Sequence, residues 1–309
     1  MAALVLLAAG LRVEQSAYNG TGPASTATDV VVPEGAAAAA LANAGVITSP
    51  LVFHIAEKLT RGDGPVRAGE YLIPAGASLA QVLDILRHGT PVQHHVTLPE
   101  GLTSAQIVKI LAGLPAASGD VTPPAEGAIL PQTYDYLWGT PRAKILARAE
   151  AALQAPLAAA WAARDPNLPL ASPQDAVTLA AIVQAETPVP AELPMVAAVY
   201  ENRLNKGMKL QADPTVIYAA SNGALTGGRD ISRTDLASAS PYNTYVYGGL
   251  PPGPICAPGL AAIQAVLHPA TTDALYFVAT GTGGHVFTAT YTTHLKNVAV
   301  YRARRHTVK

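Results

Sequence analysis

Glu186 is the carboxyl group whose sequence surroundings best suit acid–base chemistry. It lies in the apolar segment 179–187 (LAAIVQAET), which predicts the last turns of a helix. Ser172 is the predicted N-cap, Pro173 the first helical residue, and Pro188 cannot continue the hydrogen-bond ladder. A helix without a polar face is usually buried, and burial raises the pKa of a carboxyl group. We therefore expect a glutamic acid that stays protonated near neutral pH, with simple emergence into solvent at the helix end as the alternative.

The chain after Glu186 is dense in Tyr, Asn, Gly and Pro, which are poor material for a hydrophobic core. Helices are predicted over 194–206 and 260–267, and a buried strand over 275–279. Between and after them lie 210–218, 240–245 and 248–255, and a turn with a return strand over 281–288. Loops on a rigid scaffold often carry binding residues, and Tyr combines an apolar ring with a polar hydroxyl. The pattern predicts an amphipathic cleft for a sugar or a peptide.

Three histidines raise the alternative of a metal-dependent hydrolase, namely His268, His285 and His294. The sequence contains no His-Glu-x-x-His motif or comparable cluster. His268 precedes Pro269 at the end of a predicted helix, where interaction with terminal carbonyl groups would account for it. The single cysteine, Cys256, excludes an intramolecular disulfide and a multi-cysteine metal site. We therefore expect neither a metal nor a cofactor.

The composition is typical of a globular protein with many turns. Of the 309 residues, 50% are hydrophobic and 13% are charged, and the chain contains 26 Gly and 26 Pro. This length accommodates two domains of ordinary size. The formal net charge of −1 provides no global field that would attract nucleic acid, so no nucleic-acid partner is expected.

The first 11 residues are almost wholly apolar (MAALVLLAAGL). A membrane-spanning helix needs about 20 such residues, and the positively charged start of a signal peptide is missing. We predict that residues 1–28 form a truncated membrane anchor or signal-like segment followed by a small, polar linker over 19–28. A buried N-terminal segment is the alternative.

An internal repeat follows the linker. Three times, an extended apolar segment is followed by a Pro-x-Gly turn and then by a helical pattern. The three turns start at Pro33, Pro74 and Pro99. Capping boxes pair Ser78 with Gln81 and Thr103 with Gln106. A short helix is also predicted over 50–59, so residues 30–89 have the order strand, helix, helix, strand, helix. The first four elements resemble a LysM-type module, which in other proteins binds N-acetylglucosamine polymers; a packing module that binds nothing is the alternative.

Short motifs follow one another in a characteristic order along the chain. They are IVQAET (182–187), NRL (202–204), LQADPTVIY (210–218), YNTY (242–245), GLPPGPI (249–255), HP (268–269), YFV (276–278) and GHVF (284–287). Earlier ones are PEG (33–35), GEY (69–71), LPEG (98–101) and residues 126–134. This set resembles the endolytic murein transglycosylase family, the YceG-like proteins, from about residue 30 to the C-terminus.

The resemblance implies a lyase that cuts peptidoglycan strands internally at the MurNAc-GlcNAc β-1,4 bond without water. The products would carry 1,6-anhydro-MurNAc ends, and the reaction would limit the length of nascent strands. The family's catalytic glutamate falls on Glu186. Family members often carry a second glutamate two residues earlier, where this chain has Gln184, so Glu186 is the one acid in its segment. It would first protonate the leaving oxygen and then accept the proton of the attacking muramic C6 hydroxyl.

Seven further residues are predicted to bind substrate, namely Gln211, Asp213, Tyr218, Tyr242, Asn243, Tyr245 and His285. By hypothesis Gln211, Tyr242, Asn243 and Tyr245 shape the sugar site and support the charged transition state. Asp213 precedes Pro214, so an Asx-turn is as plausible there as a catalytic role. Packing is the alternative role for Tyr218.

The predicted fold class is α+β, with a small LysM-like βααβ module over 29–94 and a larger mixed α+β catalytic domain over 95–309. The resemblance also implies a single-pass protein of the bacterial inner membrane with its catalytic domain in the periplasm. Its partners would be peptidoglycan glycan strands and peptidoglycan synthases. The competing function is a non-catalytic glycan-binding scaffold of the cell-wall synthesis machinery.

Overall fold

The computed structural model describes residues 17–307, with side chains as far as Arg304. Helices and strands are mixed along the chain, which confirms the predicted α+β class. Two compact units can be distinguished. The first contains the described residues up to His95 with 115–118 and 135–140, and the second contains 96–114, 119–134 and the chain from Pro141 onward. The predicted division into domains at residues 94 and 95 stays a prediction.

The first unit is built around a strand–helix–helix–strand order, as predicted. Its elements are β1 (Thr28–Val32), α1 (Ala37–Asn43), α2 (Pro50–Leu59), a 3-10 turn (Arg61–Asp63), β2 (Gly69–Ile73) and α3 (Leu79–His88). Strands β1 and β2 are antiparallel, with Thr28 opposite Ile73 and Val32 opposite Gly69. Alternate strand residues point inward, so Val30, Val32, Tyr71 and Ile73 are all buried together with Leu41 and Phe53. That this arrangement is a LysM-type module, and that it binds glycan, both stay predictions.

The helix caps have the predicted geometry, and the glycines of the three Pro-x-Gly turns share a left-handed backbone conformation. Gly35, Gly76 and Gly101 have φ values of +72°, +67° and +79°, a region that L-residues with a side chain rarely adopt. In α3, the hydroxyl of Ser78 accepts from the backbone N–H of Gln81, whose side chain accepts from the N–H of Ser78. The same reciprocal box starts the next helix at Thr103. Local residue types therefore determine where these helices begin.

The remaining chain is mainly helical. Its helices are α4 (Ser104–Ala112), α5 (Arg142–Ala162), α6 (Pro173–Glu186), α7 (Leu193–Asn205), α8 (Asp213–Ala220), α9 (Arg233–Leu236), α10 (Leu260–Leu267) and α11 (Tyr291–Thr307), with a 3-10 turn at Pro190–Glu192. The strands are β3 (Gln93–Thr97), β4 (Ala117–Ser118), β5 (Thr133–Leu137), β6 (Thr140–Pro141), β7 (Tyr276–Ala279) and β8 (His285–Thr288). They form two-stranded sheets that pair β3 with β5, β4 with β6, and β7 with β8.

Helix α6 is the centre of the second unit. It packs against α5, α7 and α10, and every residue from Ala176 to Val183 is buried. The hydroxyl of Ser172 accepts from the N–H of Asp175, and Pro173 occupies the first turn, as predicted. The helix ends at Glu186, because Thr187 has extended backbone angles. A helix with no polar face thus places one carboxyl group at its C-terminal end.

Two predictions of local structure were wrong. Residues 210–218 were expected to form a loop, but from Asp213 onward they belong to α8, with Pro214 in its first turn, where the missing N–H costs nothing. Strand β7 was expected to be buried, but its residues are half-buried.

No helix within residues 17–307 has both the length and the apolar character that a membrane-spanning segment requires. The predicted anchor falls on residues 1–11, which lie outside the described part of the chain.

Candidate active site

Glu186 lies at the end of α6 and is partly exposed toward a cleft of about 250 Å³. The hydroxyl of Tyr200, on α7, donates a hydrogen bond of 2.6 Å to Oε1 of Glu186. Tyr200 itself is 1% exposed and belongs to the core of the second unit. The packing of α6 on α7 therefore holds the carboxyl group in one place.

Burial raises the pKa of Glu186 from 4.5 to about 7. The hydrogen bond from Tyr200 and the charge of Arg203 lower this pKa, while the negative charge of Asp213 raises it. Desolvation is the largest of these effects, because a carboxylate that burial separates from water is poorly stabilised in its charged form. A large share of Glu186 is therefore protonated at neutral pH, which is the state that a general acid needs.

Polar and aromatic side chains line the cleft around Glu186. They are Tyr200, Arg203, Gln211, Asp213, Tyr245, Tyr276, Phe277, Tyr291 and His294, with Leu210. Three of the predicted site residues are thus brought together with Glu186, namely Gln211, Asp213 and Tyr245. Their elements are far apart in sequence, and the cleft forms where α7, the start of α8, strand β7 and the start of α11 meet.

Asp213 and Tyr245 form a hydrogen-bonded pair in this cleft. The hydroxyl of Tyr245 donates to Oδ1 of Asp213 at 2.6 Å. Burial and the neighbouring carboxylate both raise the pKa of Tyr245, so its phenol stays neutral. The two segments are joined behind the pair, where Thr244 Oγ1 accepts from the N–H of Ala212 at 2.9 Å. Asp213 thus begins a helix and faces the cleft, and it does not make the Asx-turn that was the alternative.

Gln211 occupies a left-handed backbone conformation directly before this pair. Its φ is +51°, and its N–H donates to the carbonyl of Thr244 at 3.2 Å. Non-glycine residues with positive φ are uncommon and often occur at functional sites. Gln211 is exposed and lines the cleft.

Arg203 is a cleft residue that sequence reasoning did not select, although it belongs to the NRL motif. Its guanidinium donates to the carbonyls of Leu275 and Leu210, both at 2.7 Å, and Cζ lies 5.3 Å from the centre of the Tyr276 ring. These bonds tie α7 to the start of β7 and to the segment before α8. Arg203 also contributes the positive charge that lowers the pKa of Glu186.

Asn243 does not reach the cleft. It is 0% exposed, and its Nδ2 donates to the carbonyls of Asp235, Leu236 and Ser238. Its Oδ1 accepts from the N–H of Tyr245 at 3.0 Å. The side chain therefore shapes the loop that carries Tyr245, in keeping with the predicted shaping of the site, but Asn243 itself does not line the cleft.

Tyr218 and Tyr242 belong to a second cluster. Their ring centres are 4.9 Å apart, and Tyr218 is hydrogen-bonded to Glu126. Glu126 also accepts from the N–H of Ser104 at 3.0 Å, at the start of α4. Burial raises the pKa of Glu126 to about 7. Neither tyrosine lines the cleft of Glu186. Packing, which was the alternative role for Tyr218, therefore describes both rings better than substrate binding does.

The histidines take part in pairs with carboxylates or in ring stacks. His285 lies 2.7 Å from Glu192 through Nδ1, and His294 stacks on Tyr276 with ring centres 5.3 Å apart. His268 interacts with a helix-terminal carbonyl through its backbone N–H, which donates to the carbonyl of Gln264 at 2.8 Å, while its Nδ1 lies 2.7 Å from Oδ1 of Asp165. Within residues 17–307, no group of three or more His, Cys, Asp or Glu side chains is arranged to hold a metal ion.

Gln184, two residues before Glu186, has a structural role. Its Oε1 accepts from the N–H of Gly259 at 3.0 Å, at the N-cap of α10. The side chain therefore joins α6 to α10 and does not line the cleft around Glu186.

Curated relatives match different parts of the chain. An endolytic murein transglycosylase from Bacillus subtilis (strain 168) is 44% identical over 123 residues, which is 39% of this chain and 32% of the relative. A protein of the same name from Streptococcus pneumoniae (strain D39) is 28% identical over 324 aligned positions, which cover 87% of this chain and 57% of the relative. The matches thus span about a third to about half the length of these relatives.

A solved structure and a family model cover most of the chain. The crystal structure of a putative YceG-like protein from Listeria monocytogenes matches with a TM-score of 0.53 and 25% identity, over 87% of this chain and 98% of that one. The model of the YceG-like family matches residues 30–300. With nearly all described residues inside that match, the chain belongs to the YceG-like family.

Proposed function

We propose that this protein is an endolytic lytic transglycosylase that cuts peptidoglycan glycan strands, with Glu186 as its general acid and base. The observation that carries the proposal is a single carboxyl group with a pKa of about 7 at the wall of an aromatic and polar cleft. The names of the curated relatives support the same reaction class.

The proposed reaction needs one group that can exchange a proton twice. Protonated Glu186 donates its proton to the glycosidic oxygen as the C1–O bond breaks. The C6 hydroxyl of the muramic residue then bonds to C1 and closes a 1,6-anhydro ring, and the carboxylate of Glu186 accepts the hydroxyl proton. Water is not consumed, and the enzyme returns to its protonated state. Since the nucleophile belongs to the substrate, positioning of the sugar contributes much of the rate.

Other cleft residues suit the positioning of a sugar. The phenol of Tyr245 stays neutral, and the amide of Gln211 offers both a donor and an acceptor. The ring of Tyr291 is 58% exposed, which leaves apolar surface for a sugar ring. The guanidinium of Arg203 is hydrogen-bonded to backbone carbonyls. It therefore supplies positive charge while being held in place.

The cellular setting belongs to the same proposal. A cell-envelope location follows from the substrate, with attachment to the inner membrane through residues 1–28 and catalysis in the periplasm. Residues 29–94 would bind the strand as a LysM-like domain, and peptidoglycan synthases would be partners. Cutting of nascent strands would limit their length.

A hydrolase is the second candidate, because Asp213 provides another carboxylate in the same cleft. Glycosidases use such a pair, with one carboxyl group as the acid and the other as base or nucleophile. The hydrogen bond from Tyr245 favours a supporting role for Asp213, since it occupies one carboxylate oxygen. If the protein were instead a non-catalytic glycan-binding scaffold, Glu186 would take part in no reaction.

The test is the release of soluble fragments from purified murein sacculi. Wild type should release them, and Glu186→Gln should be slower by about a hundredfold or more while remaining folded. Glu126→Gln is the matched control, because Glu126 has a similarly raised pKa but lies outside the cleft. Equal activity of Glu186→Gln and wild type would reject the proposal, and an inactive wild type that binds strands would favour the scaffold.

A further inference from the structure

Glu192 is a largely buried carboxylate that takes no part in the proposed reaction. Its Oε1 accepts from the N–H of His285 at 2.7 Å, and its Oε2 lies 2.7 Å from Nδ1 of the same histidine. The hydroxyl of Thr187 donates to Oε2 at 3.1 Å. A Cβ at Gly284 would lie 2.6 Å from Oε1, so the turn before β8 needs glycine for this approach. One side chain thus joins the 3-10 turn after α6 to the hairpin of β7 and β8.

Two structural links connect Glu192 and His285 to Glu186, and the first is through the backbone. Thr187 follows Glu186 directly and is 2% exposed. Its hydroxyl both donates to Glu192 and accepts from the N–H of Val189 at 3.1 Å. The backbone at the end of α6 is therefore held by a bond network that Glu192 completes.

The second link is through aromatic rings. The His285 ring meets Phe277 edge to face at 5.3 Å, and Phe277 meets Tyr200 edge to face at 5.9 Å. Tyr200 donates to Glu186. Each ring limits the orientation of the next, since such contacts have a preferred geometry. The hairpin that Glu192 holds therefore supports the phenol that touches the acid.

Burial by itself would raise the pKa of Glu192, but the hydrogen bonds from His285 and Thr187 outweigh it, and the pKa is lowered. Glu192 is consequently ionised at neutral pH and cannot serve as a proton donor. Its bonds are charge-assisted, which makes them stronger than bonds between neutral groups.

We propose that Glu192 and His285 form a positioning clamp that holds the Glu186 carboxyl group against Tyr200 and keeps it shielded from water. The reaction that the clamp would serve rests on the proposed function, but the clamp itself does not. Loss of the clamp should increase the exposure of the Glu186 carboxyl group, which is already partly exposed toward the cleft. The other groups that act on its proton affinity are Tyr200, Arg203 and Asp213, and all three remain in the variants below.

The experiment measures the pKa of Glu186 by NMR of carboxyl-labelled protein, assigned with Glu186→Gln, and the steady-state cleavage of soluble glycan strands. In Glu192→Ala the pKa should fall by about one unit or more toward its usual value. The kcat should fall about tenfold while KM changes less than about twofold. Glu192→Gln keeps the size of the side chain and an acceptor oxygen for the N–H of His285, so it should recover most of the Glu186 pKa and most of kcat. If Glu192→Ala does not fold, His285→Ala carries the same test, since it keeps the backbone bond to Glu192.

His268→Ala is the matched control, because it removes a histidine–carboxylate pair of the same length that does not line the cleft. It should leave the pKa of Glu186 and kcat unchanged. A folded Glu192→Ala protein with the wild-type pKa and kcat would overturn the clamp. A lowered pKa in a protein whose wild type cuts no strand would support the clamp and reject the proposed function.

Discussion

The hydroxyl of Tyr200 donates a 2.6 Å hydrogen bond to the carboxyl group of Glu186, across the contact between α6 and α7. A phenol donor stabilises the carboxylate and lowers its pKa, whereas burial destabilises the carboxylate and raises it. The pKa of about 7 is the balance of these effects with the charges of Asp213 and Arg203. Single substitutions around Glu186 should therefore move this pKa in opposite, predictable directions.

Tyr200→Phe should raise the pKa of Glu186. The substitution removes the donor but keeps the ring, so burial remains and the carboxylate loses its main partner. Activity, which needs the protonated acid, should extend to higher pH, while the maximal rate falls several-fold because the carboxyl is held less firmly. The measurement is the pH dependence of strand cleavage.

The control for this substitution is Tyr134→Phe. Tyr134 is also buried and donates a 2.6 Å bond, in its case to the carbonyl of Leu130. Its loss should lower stability without moving the pH profile. A profile of Tyr200→Phe that coincides with wild type would contradict the role given to this bond.

Asp213→Asn should lower the pKa of Glu186, which is the opposite of the effect expected for Tyr200→Phe. Its negative charge raises the pKa of Glu186, so the neutral amide should lower that pKa and move the loss of activity to lower pH. Tyr245 can still donate to the amide oxygen, which preserves the geometry. The pH profile gives the result. If Asp213→Asn instead abolishes cleavage at every pH, Asp213 takes part in the chemistry and the hydrolase becomes the better account.

Glu201→Gln should stabilise the protein at alkaline pH. Glu201 is 4% exposed, and its buried Oε1 has no hydrogen-bond partner among the residues that the structure describes. Burial and the charge of Asp165 raise its pKa from 4.5 to about 8. The folded protein keeps this proton where the unfolded chain loses it, so stability falls as the pH rises from about 4.5 to about 8.

The measurement is the Tm of both proteins across this range. The Gln variant does not ionise, so its Tm should exceed that of wild type by several degrees at pH 9 and match it near pH 4. An equal difference at both pH values would show that packing, and not ionisation, separates the two proteins.

The elements with local signals could be predicted from the sequence. Ser172 and Pro173 mark the start of α6, its apolar residues predict its burial, and both follow from neighbours within one or two turns. The same holds for the capping boxes. Helix α8 was missed because Pro214 was interpreted as a turn residue, although Pro suits the first turn of a helix equally well.

The site could be predicted only in part, because its bonds join distant segments. Glu192 and His285 are 93 residues apart, and Arg203 and Leu275 are 72 apart. The periodic pattern of apolar residues in a sequence does not indicate contacts between residues so far apart. The sequence does not distinguish the Tyr and Asn residues of the motif 242–245, yet Tyr245 lines the cleft and Asn243 is buried. Side-chain direction in a loop depends on hydrogen bonds that composition does not reveal.

The most direct test of the central claim is digestion of murein strands in water enriched in oxygen-18, followed by mass spectrometry of the new ends. Attack by the muramic C6 hydroxyl predicts ends that carry a 1,6-anhydro ring, contain no oxygen-18 and are lighter by one water than hydrolytic ends. These ends should be absent with Glu186→Gln. Reducing ends labelled with oxygen-18 would contradict the account, because water would then be the nucleophile.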